Sequence, residues 1–317
     1  MSFEGLAVSE EVVLLRPAGA MFSSLWHVVG FTKWCKSEGK TPLVDILTVR
    51  SMNTFRSVPA RNSWTEYFHQ LSSLSLEEVL ESGEYSIYDR RPVSFAVHDY
   101  SGDTDYRETF HQTIKLSPRT QSYIDLWLDF LRQEGDVLGV HMRGTDMKIA
   151  KSHLAPPTTF QTLKMVDMAL GRRNFDAIFV ASEDERELAK IRKRYGKRIV
   201  TSDSFRTHLR QKMTRMESPV LQWPYLLGLQ VLRDTWMLAH CEGLVSGHSN
   251  VSEHAQVIRN RPYSVNLQIR RPRVDIFGSS KAAIIATNFL RDISVSRYEG
   301  KDFKIVDKSD NDVPPGH

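Results

Sequence analysis

A histidine and an arginine stand two positions apart at the end of an apolar run. Val137 to Lys148 reads VLGVHMRGTDMK, and His141 and Arg143 are followed at once by Gly144, Thr145 and Asp146. Four to six apolar residues bounded by turn chemistry suit a buried parallel strand. In open α/β sheets, ligands sit beyond the carboxyl ends of the strands. Arg143 can offer a planar fork of donors to a phosphate, and Gly144 lets the backbone turn sharply or approach a ligand closely. Equally, Arg143 could be half of an ion pair with Asp146, and His141 a satisfied core residue. Downstream, Ser246-Gly247-His248-Ser249-Asn250 joins a second apolar run to a helical one. The first turn of such a helix presents free N–H groups and partial positive charge, a ready anion site. The alternative is that Ser249 or Asn250 only caps the helix. Asp234 falls inside a long apolar helical stretch, where an unpaired carboxylate costs several kcal/mol. It needs a donor, either an internal cation or the N–H groups of a bound base. Arg233 is expected to face elsewhere, because neighbours i and i+1 do not share a helix face.

These residues need a scaffold, and the periodicity supplies one. Val12 to Leu15 is a short strand candidate, broken by Arg16-Pro17-Ala18-Gly19-Ala20. A helical pattern through Leu25, Val28, Val29, Phe31 and Trp34 ends at Gly39, and Thr41 to Leu47 reads as a second strand. This is a βαβ unit with its first loop, and Gly19, at a sheet's carboxyl edge. Asn53 to Tyr88 reads as irregular and aromatic. Its SWTEYF cluster, with Trp64, Tyr67 and Phe68, is either core or a stacking platform for a sugar face. Asp103-Thr104-Asp105 looks like the DxD that holds a divalent metal in some glycosyltransferases, or is simply a polar loop.

Pro118 to Gln133 is an amphipathic helix ended by Glu134-Gly135, and a domain boundary is placed there. After the Val137 strand come a helix over Thr159–Leu170 and a strand over Phe175–Ala181. Ser182 is expected to cap the next helix, with Glu185 as the acid of a capping box. A short strand over Arg198–Thr201, a buried helix over Pro224–Cys241, a strand over Leu244–Ser246, a helix over Val251–Ile258 and a strand over Tyr263–Leu267 follow. Alternation of this kind argues a parallel sheet covered on both faces. The tail from Lys308 is expected to be disordered.

The composition limits the function. The chain has 317 residues, enough for two compact units. A net charge of +4, from 42 basic and 38 acidic residues that are scattered, suits an anionic small molecule and argues against nucleic acid. Two cysteines exclude a disulfide framework and favour free buried thiols in a reducing compartment. No apolar run is long enough to span a membrane, and the N-terminus lacks the apolar core of a signal peptide. A sequon at Asn250-Val251-Ser252 would lie in the ligand site, so a cytoplasmic location is expected.

Three segments resemble one family. HMRGTD at 141–146 resembles the HxRxxD motif of the α-1,6-fucosyltransferase group, which includes the core enzyme of N-glycans and the rhizobial nodulation enzyme. Residues 178–203, IFVASEDERELAKIRKRYGKRIVTSD, and 231–255, VLRDTWMLAHCEGLVSGHSNVSEHA, resemble its second and third regions in order and spacing. The N-terminal half is similar only through its first βαβ and the WTEYF cluster.

The resemblance implies an α/β GT-B fold, two Rossmann-like domains with parallel sheets facing a central cleft. Residues 1–135 would form the acceptor-side domain and 136–317 the nucleotide-sugar domain. It implies an inverting, metal-independent glycosyltransferase that needs no cofactor, with a GDP-sugar donor, GDP-fucose foremost, and a glycan or other hydroxyl acceptor. It places His141 and Asp234 on guanine or ribose, Arg143 on the β-phosphate, and Ser249 and Asn250 at the phosphates. Asp146 and Asp184 match acidic positions that hold the site together. Two positions depart. Several members carry a second arginine where this chain has Gly144, and the core enzyme's basic Glu, ten residues past the histidine, is here Lys151. Candidate bases are therefore His153, Asp146 or Glu66. Those departures leave open a different nucleotide-sugar donor, or a non-catalytic GDP-sugar binder.

Overall fold

The structure, a computed structural model, describes residues 11–17, 20–46, 62–88, 103–143, 156–207, 223–270 and 304–309. They divide into two compact units, one within 1–95, 103–122 and 222–226 and the other within 96–102, 123–221 and 227–317.

The first unit opens with β1 (Val12–Leu15), α1 (Met21–Glu38) and β2 (Thr41–Val44), the expected βαβ. β1 and β2 run parallel, with Leu14 beside Leu43. Gly39 ends α1 in the left-handed region at φ 61°, which glycine adopts without a Cβ penalty. The stretch expected to be irregular holds α2 (Ser63–Tyr67), α3 (Leu76–Ser82) and β3 (Ser86–Ile87), which pairs parallel with β1. Local caps make these short helices: Asn62 accepts from the Trp64 N–H and Ser75 from the Glu78 N–H. α4 (Thr104–Thr113) packs on α1.

α5 (Pro118–Gln133) contains the division between the two units, at 122/123. The second unit continues with β4 (Val137–Met142), α6 (Thr159–Arg172), β5 (Ala177–Ser182), α7 (Glu185–Tyr195), β6 (Ile199–Val200), α8 (Trp223–His240), β7 (Gly243–Gly247), α9 (Asn250–Ile258), β8 (Val265–Arg270) and β9 (Lys304–Asp307). Among the described residues the sheet order is β6-β5-β4-β7-β8-β9. All neighbours pair parallel except β9, which runs antiparallel to β8. β9 was not anticipated. The expected disorder of the tail is also corrected at its start, because Lys308 is buried and Ser309 accepts from the Asn266 N–H through its hydroxyl.

β4 reads as continuously apolar because both its faces are covered. Leu138, Val140 and Met142 join Met165, Val166, Leu188 and Ile191 in one core cluster. On the other face a Cβ at Gly139 would come within 3.1 Å of Leu238 and Cys241, so α8 packs there because the side chain is missing. The cap of α7 differs from expectation. Asp184 accepts from the Arg186 N–H, while Ser182 completes β5 and its hydroxyl accepts from the Asp184 N–H. The strand runs to Ser182, so the first residue free to cap is two positions later.

Candidate functional site

The order β5-β4-β7 puts the ends of β4 and β7 side by side, with His141 and Ser246 paired in register. Paired residues of parallel strands face the same side of the sheet, so both side chains lie on the face opposite Val140. β7 then turns into α9 through Gly247 and His248. Ser249 is the N-cap, and its hydroxyl accepts from the Ser252 N–H in a capping box that uses Ser252 in place of the usual Glu or Gln. The same hydroxyl lies 3.3 Å from Nδ1 of His141. Ser249 therefore both caps the helix and faces the strand tip. Asn250 is the first helical residue. The backbone N–H groups of Asn250 and Val251 precede the first intrahelical bond, Glu253 N–H to Ser249 O at 2.9 Å.

His141 is 8% exposed. Burial, with the adjacent Arg143 charge, pushes its pKa down to about 3. It is neutral at ordinary pH, with one donor and one acceptor nitrogen. Arg143 follows β4 directly and is half-buried. A strand-tip guanidinium, a neutral imidazole and a helix start thus share one edge of the sheet, and together they can take an anion and a neutral hydrogen-bonding group. Ser246, which the sequence named only as the start of the turn, is 3% exposed, and its hydroxyl has no hydrogen-bond partner among the described residues. A small polar residue at the end of an apolar run was the signal for it.

Asp234 sits in a second cluster of the same unit. Its Oδ1 accepts from Ser202 Oγ at 2.8 Å and from Arg233 Nε at 3.0 Å, and its Oδ2 from Ser204 Oγ at 2.9 Å. The expectation that Arg233 faces elsewhere is overturned. The long arginine side chain curls back along the helix, fully buried, and its guanidinium lies 4.5 Å from the Trp127 ring centroid. It also bonds Tyr123, Asp203 and Ser204. Arg206 donates to the Ser202 and Ser204 carbonyls and ties the segment down. Of the two donors foreseen for Asp234, the internal cation is present, and the carboxylate retains 15% exposure toward solvent. The hydroxyls after β6, in TSDS, were the sequence signal for this cluster.

Asp184 is fully buried and caps α7, a structural place that suits an acidic position holding the segment together. Its bridge to Thr207 anchors the segment that carries Ser202 and Ser204. Trp64 is corrected as an open stacking platform. It is 3% exposed, its ring lies 4.5 Å from that of Phe68, and its Nε1–H donates to the His69 carbonyl. Asp103 caps α4 and Asp105 pairs with Lys33. Among the described residues no group of three His, Cys, Asp or Glu side chains could hold a metal ion. Glu66 is half-buried in the first unit. Gly19, Gly144, Asp146 and His153 lie outside the described residues. Cys35 and Cys241 are free and buried.

The chain has a GT-B fold, which it shares with solved structures of a fucosyltransferase. It is similar to NodZ α-1,6-fucosyltransferase soaked with GDP-fucose, at 13% identity and TM-score 0.55, over 82% of this chain and 95% of that one. NodZ co-crystallised with GDP matches at 12% identity and TM-score 0.55, over the same shares. NodZ from Bradyrhizobium matches at 12% and 0.54, over 82% of this chain and 96% of that one. No family profile matches the sequence, and no curated protein is similar to it. Among the described residues no helix is long and apolar enough to cross a membrane.

Proposed function

We propose that the chain is an inverting, metal-independent glycosyltransferase that moves fucose from GDP-fucose to a hydroxyl of a glycan or other acceptor. The observation that carries this is the junction of His141 with Ser249, which brings the strand tip bearing Arg143 to the start of α9. The fold is shared with a fucosyltransferase crystallised with GDP and with GDP-fucose, which supports the choice of donor.

In this mechanism the acceptor oxygen attacks the anomeric carbon while the bond from that carbon to the β-phosphate oxygen breaks. The electron pair leaves with the diphosphate, and the hydroxyl proton goes to a base, for which Asp146, His153 and Glu66 are the candidates. Negative charge grows on the departing oxygens. Preorganised donors aimed at such charge contribute roughly 3–4 kcal/mol each. Arg143 and the first N–H groups of α9 would supply them, with Ser249 and Asn250 at the phosphates, so the leaving group needs no divalent cation. His141 and Asp234 would meet the nucleoside, and the nucleotide-sugar domain would be residues 136–317, with 1–135 taking the acceptor. Gly144 and Lys151, where relatives place a second arginine and a base, favour one rival: a protein that binds a GDP-sugar without turning it over.

Calorimetry with GDP, UDP and dTDP, followed by a donor-hydrolysis assay, tests the proposal. It expects GDP to bind at least tenfold tighter than the other two, by analogy with sites that hydrogen-bond their substrate, and GDP-fucose to be consumed. GDP binding with no consumption selects the rival. Preference for UDP or dTDP rejects the donor.

A further inference from the structure

Glu253 lies in the first turn of α9 and is fully buried. A negative charge there is in the proper end of the helix dipole for stability, but it opposes any anion bound at the same end. Gln268, His248 and Lys308 are among the groups that face it. The Gln268 amide on β8 donates to Oε1 at 2.6 Å. His248 Nε2, in the turn before the cap, lies 3.6 Å from Oε1. The Lys308 ammonium lies 3.6 Å from Oε2, with its side chain 7% exposed. Lys308 reaches this place because β9 adds antiparallel to β8, and its backbone N–H then bonds the Asn266 carbonyl at 2.9 Å. A lysine would ordinarily keep its ammonium in water. Here a strand is spent on delivering it to a carboxylate beneath the helix that starts at Ser249. The unpartnered hydroxyl of Ser246, buried on the His141 face beside this start, is an independent sign that something polar is received there.

We propose that Lys308 is a positioning residue for diphosphate binding: it balances the buried charge of Glu253, so that the start of α9 presents net positive potential to the ligand. The inference rests on the proposed nucleotide site. Removal of the lysine would take a positive charge away from Glu253, in the first turn of the same helix that meets the phosphates.

The test is calorimetry on the whole chain with GDP, inorganic diphosphate and guanosine. Lys308→Met is expected to weaken GDP and inorganic diphosphate by at least about tenfold and to leave guanosine unchanged, because the effect is one of charge at short range in a dry site. Lys308→Arg is expected to bind like wild type, and the double variant Glu253→Gln, Lys308→Met to recover wild-type affinity. A folded Lys308→Met variant with wild-type affinity for GDP, or a double variant as weak as the single one, overturns the proposal. Should Lys308→Met fail to fold, Glu253→Gln alone decides. It is expected to bind diphosphate at least about threefold tighter, and equal or weaker binding overturns the idea. Wild-type protein that binds neither GDP nor inorganic diphosphate overturns the nucleotide site as well. Wild-type binding combined with an indifferent Lys308→Met overturns only the role of Lys308.

Discussion

Nδ1 of His141 and Oγ of Ser249 are 3.3 Å apart, joining the tip of β4 to the start of α9 by side chains. The hydroxyl already accepts from the Ser252 N–H at 3.1 Å, and the Ser252 hydroxyl donates to the Gly247 carbonyl at 2.7 Å. With Ser249 donating to Nδ1, every one of these atoms is satisfied and Nε2–H is left as a donor toward a ligand. Nitrogen-15 NMR of labelled histidine is expected to show His141 neutral, as the Nε2–H tautomer, from pH 8 to pH 5. A charged ring at pH 6, or the Nδ1–H tautomer, would remove this donor from the site.

Arg143→Ala is expected to lower the transfer rate at least about 100-fold. The side chain is half-buried at a strand end and outside the cluster that holds the sheet together, so thermal stability should change little. The assay is steady-state transfer beside a melting curve. Full activity in a folded variant would show that the leaving diphosphate does not depend on this guanidinium.

Burial pushes both His141 and His254 from an ordinary 6.5 to about 3, with Arg143 adding to the effect at His141. In the unfolded chain both take up protons as the pH falls through 6.5, and in the folded chain they do not. Stability is therefore complete above that value and declines toward pH 3, by about 1.4 kcal/mol per pH unit for each histidine. Urea unfolding between pH 7.5 and 5 should show this slope, and His254→Asn should remove about half of it. A wild-type slope of zero across that range would mean that both rings are open to protonation.

Much of the second unit was legible because its strands are covered on both faces and its helices begin at recognisable caps. The run at 137–142 and the turn at 247–250 were found from those signals alone. What the sequence concealed depends on contacts between distant segments. Arg233 was assigned to another face by helix periodicity, yet Trp127, on a helix more than a hundred positions earlier, receives its guanidinium and turns it toward Asp234. Trp64 had two readings, core or stacking platform, because a local aromatic cluster does not show what encloses it; its burial agrees with core. Lys308 looked like a polar tail because β9 has no hydrophobic period of its own and exists only through its pairing with β8.

Catalysis without a divalent ion follows if Arg143 and the start of α9 neutralise the leaving diphosphate. Transfer in excess EDTA is expected to equal transfer in buffer. Loss of activity in EDTA that Mn²⁺ restores would place the charge balance on a metal instead, and would contradict the mechanism.

Asp234 gives the sharpest test of how the donor is recognised. Its two oxygens already take three protein donors, Ser202, Ser204 and Arg233, so the carboxylate is held in place before a base arrives. Arg233→Met removes the buried cation and leaves that carboxylate with its two serine donors and the charge of Arg206, and it is expected to lower stability. Asp234→Asn is a milder change, since the amide oxygen can still accept while its nitrogen faces a donor. If Asp234 meets the base, Asp234→Asn should weaken GDP by at least about tenfold, roughly one charge-assisted hydrogen bond, and leave inorganic diphosphate untouched. If the pair is only a brace for the segment at 202–206, GDP and diphosphate should weaken together or not at all. Calorimetry on the two ligands separates these outcomes, because a brace has no means of telling a nucleoside from the phosphates attached to it.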